Sequence, residues 1–204
     1  MFLALGLASL VSMPLATSAQ DVNDTNSADA IFAGGCFWCM EEAFEKVQGV
    51  SAVVSGYVGG TVESPTYEQV SSGRTGHYEA IEVQYDPQEV SYRQLLDVFW
   101  RNIDPTDAGG QFCDKGPQYR AAIFYQNEEE KRLAEASKKS TEESKPFPKP
   151  LVTEILPAST FYAAEGYHQD YYKKNPIRYR YYKWGCGRAQ RLEELWGPPE
   201  MTEK

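Results

Sequence analysis

The chain has 204 residues, 42% of them hydrophobic, enough for one sizeable core and a single domain. Its formal net charge is -9, and an acidic surface is repelled by phosphate backbones, which argues against nucleic acid as a partner. Four cysteines are too few to staple a domain of this length, so they read as redox chemistry before scaffolding.

Residues 1–19, MFLALGLASLVSMPLATSA, carry no charged side chain and end in small residues. The apolar run is short and broken by Pro14, a pattern expected of a secretory signal cleaved near Ala19 and not of a membrane span. The usual basic start is missing. Two locations therefore stand as expectations: export to the periplasm, or the cytoplasm if the segment does not act as a signal. Residues 20–28 form a polar lead-in, one catalytic domain is expected over 29–198, and 199–204 form a tail.

From Asp29 onward, strand and helix signals alternate. AIFA runs into Gly34-Gly35, after which Phe37, Met40, Phe44 and Val47 recur at helical spacing. Val50 to Val58 is rich in β-formers, and in EAIEVQY the apolar Ile81, Val83 and Tyr85 alternate with Glu82 and Gln84. Ser91 opens an amphipathic helix with Tyr92, Leu95, Leu96, Phe99 and Ile103 on one face. After the glycine-rich DAGGQFCDKGPQY, the apolar AAIFY suits a central strand. A helix follows Asn127 with Glu128, Glu129 and Glu130 first and Lys138 and Lys139 late, matching its dipole. LVTEIL is another strand, and beyond Pro157 the chain is expected to be tyrosine-rich and largely irregular. The β-α-β-β-α-β-α-β order predicts an α+β two-layer sandwich.

The chemistry centres on AGGCFWCMEEAFEKV, residues 33–47. A bare C-x-x-C is a weak signal. A zinc site would need a second pair at similar spacing, and Cys113 and Cys186 are isolated. A buried packing role suits Cys39 or Cys113 but not Cys36, which follows a strand and two glycines and starts a helix. There, unpaired N–H groups and the helix dipole are expected to stabilise a thiolate. Phe37 and Trp38 set an aromatic wall beside it, suited to a methyl group. Glu79 shares the parity of Ile81, Val83 and Tyr85, so its carboxyl is expected on the apolar face, protonated and able to donate.

GCFWC, SGYVGG, SPTYEQV, TGHYEAIEVQYDP, FWRNIDPTDAGGQFCDKGPQYRAAIFY and GYHQDYYKKNP, in order from about Ile31 to Pro176, resemble the methionine sulfoxide reductase A family. The resemblance implies a ferredoxin-like α+β sandwich with no metal and no organic cofactor. It makes Cys36 the nucleophile that attacks the sulfoxide sulfur and Glu79 the proton donor to its oxygen. By the same resemblance Tyr67 and Tyr119 hold that oxygen, Asp114 binds the substrate backbone, and Phe37 with Trp38 receives the methyl group. Cys36 then becomes a sulfenic acid that a second thiol must resolve. Family members use either the second cysteine of GCFWC or one in the C-terminal tail. This chain has both, Cys39 and Cys186, and Cys39 is favoured because its proximity is encoded locally. Cys113 is read as a loop-packing residue.

The implied substrates are the S epimer of methionine sulfoxide, in oxidised proteins or free, and the implied reductant is thioredoxin or a thioredoxin-like protein. A monomer without stable membrane association is expected. The tail's five Lys or Arg residues from Lys173 to Lys183, set among tyrosines, could stack on RNA, but a core-wrapping segment that supplies pocket wall fits better. Two other functions fit the C-x-x-C alone: a thioredoxin-like dithiol oxidoreductase, which would not need Glu79, Tyr67 and Tyr119 around Cys36, and an inert binding module for oxidised proteins.

Overall fold

A computed structural model describes residues 27–198; the expected signal segment and the 199–204 tail lie outside them. The strands are β1 (Ala28–Gly34), β2 (Val50–Val58), β3 (Tyr78–Tyr85), β4 (Gly110–Gln111), β5 (Asp114–Lys115), β6 (Ala121–Tyr125), β7 (Glu154–Pro157) and β8 (Tyr162–Ala163). The helices are α1 (Phe37–Phe44), α2 (Tyr67–Ser71), α3 (Tyr92–Arg101), α4 (Glu128–Ser144), α5 (Tyr171–Lys174), α6 (Pro176–Gly185) and α7 (Arg188–Trp196), with a 3-10 turn at Pro117–Tyr119. The first strand thus starts one residue inside the expected lead-in.

The main sheet has six strands in the order β7-β6-β1-β3-β2-β8. Its centre, β6-β1-β3-β2, is antiparallel throughout, with Phe32 opposite Ile123 on one side and Ile81 on the other. Together with α1 and α3 this is the β-α-β-β-α-β arrangement of a ferredoxin-like sandwich. β7 runs parallel to β6, as a strand returning over a helical crossover must, and α4 supplies that crossover.

One face of the sheet carries the large core: Phe32, Ile81, Val83 and Ile123 meet Phe37, Met40 and Phe44 of α1 and Leu95, Leu96 and Phe99 of α3. Each of these side chains contributes roughly 1.5–3 kcal/mol by leaving water. A smaller cluster on the opposite face gathers Ile31, Ala33, Val58, Tyr78, Ala80 and Phe124, covered by Leu156, Ala158 and Phe161. The helix starts follow their sequence signals. Ser91 and Gln94 form a reciprocal capping box on α3, and Asn127 accepts the Glu130 amide at 2.9 Å on α4.

Two expectations are corrected. LVTEIL becomes a strand only from Glu154, because the Leu151 amide is taken by Glu142 Oε2 and the Val152 amide by the Pro105 carbonyl, both at 2.9 Å or less. The stretch beyond Pro157 is not irregular to its end: residues 171–196 fold into α5, α6 and α7. Pro176 starts α6, where a missing N–H costs nothing. The aromatic residues that lower intrinsic helix propensity there are compensated by packing, with Tyr171 and Tyr179 buried against the cysteine pair. No helix among the described residues is long and apolar enough to cross a membrane.

Candidate active site

Cys36 sits where β1 hands over to α1. Gly35 makes the turn at φ +80°, and a Cβ at Gly34 would overlap the Met40 sulfur, so any larger residue there must displace the Met40 side chain. Cys36 is the N-cap of α1, and its carbonyl accepts the Cys39 amide at 3.1 Å. The thiol opens into a cavity of about 290 Å³ lined by Phe37, Trp38, Tyr67, Glu79, Tyr119 and Tyr182, among others.

Glu79, 2% exposed, lies at the head of β3 and accepts the Phe37 amide at 3.2 Å. Burial pushes its carboxyl up to about 8, with the charges of Asp114 and Cys39 adding to the effect and the Phe37 amide and Tyr119 opposing it. Glu79 is therefore mostly protonated at neutral pH. Tyr67 enters from the first turn of α2, its amide held by Glu165 Oε1 at 2.8 Å, and Tyr119 from the end of the 3-10 turn. Burial raises the pKa of both phenols, so both keep their protons, and Tyr119 hydrogen-bonds both Glu79 and Tyr67.

Cys36 and Cys39 are 5% and 4% exposed and hydrogen-bonded to each other. The hydrogen bond from Cys36 lowers the Cys39 thiol to about 6, helped by Arg188, Tyr179 and Lys183. Burial pushes the Cys36 thiol up, and the neighbouring Cys39 and Glu79 add to that. The Phe37 amide serves Glu79, so this first helical N–H does not reach the Cys36 thiol.

The aromatic wall is built mainly by the tail. Trp38 stacks on Tyr171 at 3.8 Å between centroids and 7° between planes, and its Nε1 donates to His168 Nδ1 at 3.1 Å. That bond leaves the imidazole proton on Nε2, and burial holds His168 below its ordinary pKa. His168 also touches Tyr67 at 4.4 Å and Phe37 at 5.0 Å. Glu165 binds the Tyr57 hydroxyl at 2.9 Å as well as the Tyr67 amide. Asp114, in β5, accepts the Tyr182 hydroxyl at 2.6 Å, and its pKa is raised, chiefly by burial.

Cys36, Phe37, Trp38, Tyr67, Glu79, Asp114 and Tyr119 thus line one cavity, Cys39 lies behind Cys36, and Cys186 is elsewhere. Sequence reasoning missed His168, Glu165, Tyr171 and Tyr182. The first three lie in or beside GYHQDYY, in the tail expected to supply pocket wall, where no single residue carries a role in the sequence reading. Cys113 is not a packing residue: it is exposed and disulfide-bonded to Cys186, with 4.8 Å between Cα atoms. The bond spans 73 positions of sequence, so no local spacing could signal it. Cys113, Asp114 and Cys186 bring metal-ligand atom types together, but their two sulfurs are spent on each other.

Residues 28–199 match the family model described as peptide methionine sulfoxide reductase. The chain is 57% identical over 167 residues to the peptide methionine sulfoxide reductase MsrA of Bacillus velezensis, covering 82% of this chain and 94% of that one. Among solved structures it is similar to Mxr1 from Saccharomyces cerevisiae in reduced form, at TM-score 0.71 and 30% identity over 76% of this chain and 88% of that one. It is similar also to methionine sulfoxide reductase A of Corynebacterium diphtheriae, at TM-score 0.67 and 31% identity over 76% and 78%. With this match across the whole described domain, the chain belongs to the peptide methionine sulfoxide reductase family.

Proposed function

We propose that the cavity reduces methionine-(S)-sulfoxide through attack of Cys36 on the sulfoxide sulfur. The reaction class is thiol-dependent reduction of methionine sulfoxide. The single observation that carries the residue assignment is the buried, protonated Glu79 facing the same cavity as the Cys36 thiol. A sulfoxide is a poor electrophile until its oxygen is protonated or hydrogen-bonded, and Glu79, Tyr67 and Tyr119 are the hydroxyl donors that converge there.

Cys36 passes its proton to Cys39 along their hydrogen bond, and the Cys36 sulfur attacks while Glu79 protonates the oxygen. Oxygen ends on Cys36 as a sulfenic acid, and methionine leaves. Phe37 and Trp38 hold the methyl group, and Asp114, released from Tyr182, takes the substrate backbone. Cys39 then attacks the sulfenic sulfur, water leaves, and a 36–39 disulfide forms. Its adjacency and its lowered pKa both support Cys39 over Cys186 for this step.

The substrate is the sulfoxide in oxidised proteins or as the free amino acid, and the external reductant is a thioredoxin-type dithiol protein, supported by the exposed Cys113–Cys186 disulfide. The protein acts as a monomer, exported to the periplasm if residues 1–19 are a signal. Two variants test the chemistry. Cys36→Ser is expected to abolish methionine release from the S epimer, and Glu79→Gln to slow single-turnover release at least tenfold while binding persists. A Cys36→Ser enzyme that kept even a tenth of normal turnover would sink the assignment.

A further inference from the structure

Helix α6 turns an apolar stripe toward solvent. Five large hydrophobic residues are exposed among the described residues, and three of them, Ile177, Tyr181 and Trp184, belong to this one helix. Their exposures are 86%, 75% and 78%. Spacings of four and three positions put them on one face, and the Tyr181 and Trp184 rings stand 6.3 Å apart. Two such rings and an isoleucine expose on the order of 400 Å² together, the size at which a patch on a single chain is often functional.

The stripe adjoins the substrate cavity. Arg178 and Tyr182, each one position on from Ile177 and Tyr181, line that cavity. One position is about a quarter-turn of helix, so α6 forms cavity wall with one face and carries the stripe on the next. Tyr179, buried against the cysteine pair, takes a third face. Cys186 caps the helix nine positions after Ile177, about two and a half turns on, which puts its side chain across the helix from the stripe. The stripe thus continues the substrate cavity and not the disulfide.

The cavity, of about 290 Å³, is at the low end of the roughly 300–1,000 Å³ that whole ligands fill, so it takes one side chain and leaves the neighbouring residues of a client outside. A client chain that leaves the cavity over α6 meets the stripe next. Ile177 to Trp184 spans about 10 Å of helix, the reach of three extended residues at about 3.3 Å each. We propose that the stripe is an extended subsite for apolar side chains one to three positions from the methionine sulfoxide in an unfolded polypeptide. The proposal rests on reading the cavity as the sulfoxide site, and it names the clients that site prefers. A folded domain keeps most of its large apolar side chains inside, so a surface sulfoxide among polar residues gains nothing from the stripe. The free amino acid does not reach it.

The test compares three substrates on the full-length enzyme, with dithiothreitol as reductant so that no second protein enters the assay. One is N-acetylmethionine-(S)-sulfoxide. The others are short unstructured peptides with the same sulfoxide at the centre, flanked by leucine in one and by serine in the other. The wild-type KM is expected to be at least about fivefold lower for the leucine peptide. Tyr181→Ser/Trp184→Ser should bring that ratio below about twofold, while turnover of N-acetylmethionine-(S)-sulfoxide stays normal and reports a folded site. If the double variant folds poorly, Ile177→Ser alone should still narrow the ratio. Equal wild-type KM values for the two peptides overturn the subsite and leave the cavity reading intact, whereas no turnover of any of the three overturns both. A double variant that keeps the peptide ratio also overturns the subsite. Lost cycling with a thioredoxin-type protein would then make the stripe a reductant surface, and a wild-type dimer that the variant abolishes would make it a contact between copies.

Discussion

The amide of Phe37 donates to Glu79 Oε2 at 3.2 Å, so the first helical N–H after the nucleophile holds the acid and not the thiol. This one bond ties α1 to β3 across 42 positions of sequence. It orients the carboxyl beside Cys36, and on the far side of the cysteine pair Arg188 and Lys183 lower the Cys39 thiol.

Burial raises the Glu79 pKa from an ordinary 4.5 to about 8, and the sign of the pH effect follows. Between those values the folded chain holds a proton that the unfolded chain has lost, so this group's contribution to stability falls as pH rises through the window. The slope is at most about 1.4 kcal/mol per pH unit. Wild-type single-turnover methionine release should likewise fall above about pH 8. Glu79→Gln should flatten both profiles, measured by thermal melts and rapid quench from pH 5 to 9; unchanged slopes would remove Glu79 as the acid.

The resting thiolate is predicted on Cys39, with a midpoint near pH 6. Absorbance at 240 nm, titrated from pH 4 to 9 in the reduced enzyme, should show that step. Cys39→Ser should erase it. Cys36→Ala, which removes the donor, should shift it upward, since the largest cause of the lowered value is the hydrogen bond from Cys36. A step that survives Cys39→Ser would place the thiolate on Cys36 instead.

Tyr171→Ala removes the ring that stacks on Trp38 at 3.8 Å. An aromatic pair is worth about 0.5–1.5 kcal/mol beyond its buried area, so KM should rise roughly two- to tenfold as the Trp38 wall loosens. Methionine release at saturating substrate should change less. Tyr171→Phe should restore KM, because the ring and not the hydroxyl faces Trp38.

Gly34→Ala should destabilise the domain by about 1–3 kcal/mol, the usual cost of overpacking, because the added methyl overlaps Met40 where α1 crosses β1. Urea denaturation would measure it. A variant as stable as the wild type would mean that Met40 yields without strain.

What the residues alone decided here is whatever depends on short-range periodicity. Strand parity put Glu79 on the buried face, the capping residues Ser91 and Asn127 opened α3 and α4, and two glycines ending a strand put Cys36 at a helix start. These follow from the spacing of neighbours along the chain, so a single sequence carries them. The tertiary structure decided the rest. It joined Cys113 to Cys186, folded the tyrosine-rich tail into helices over the cysteine pair, and brought His168 against Trp38 and Tyr182 against Asp114. It also brought Arg188 and Lys183 to Cys39. A thiol's proton goes where burial and distant cations place it, and Arg188 and Lys183 reach Cys39 only after about 150 residues of chain have folded back.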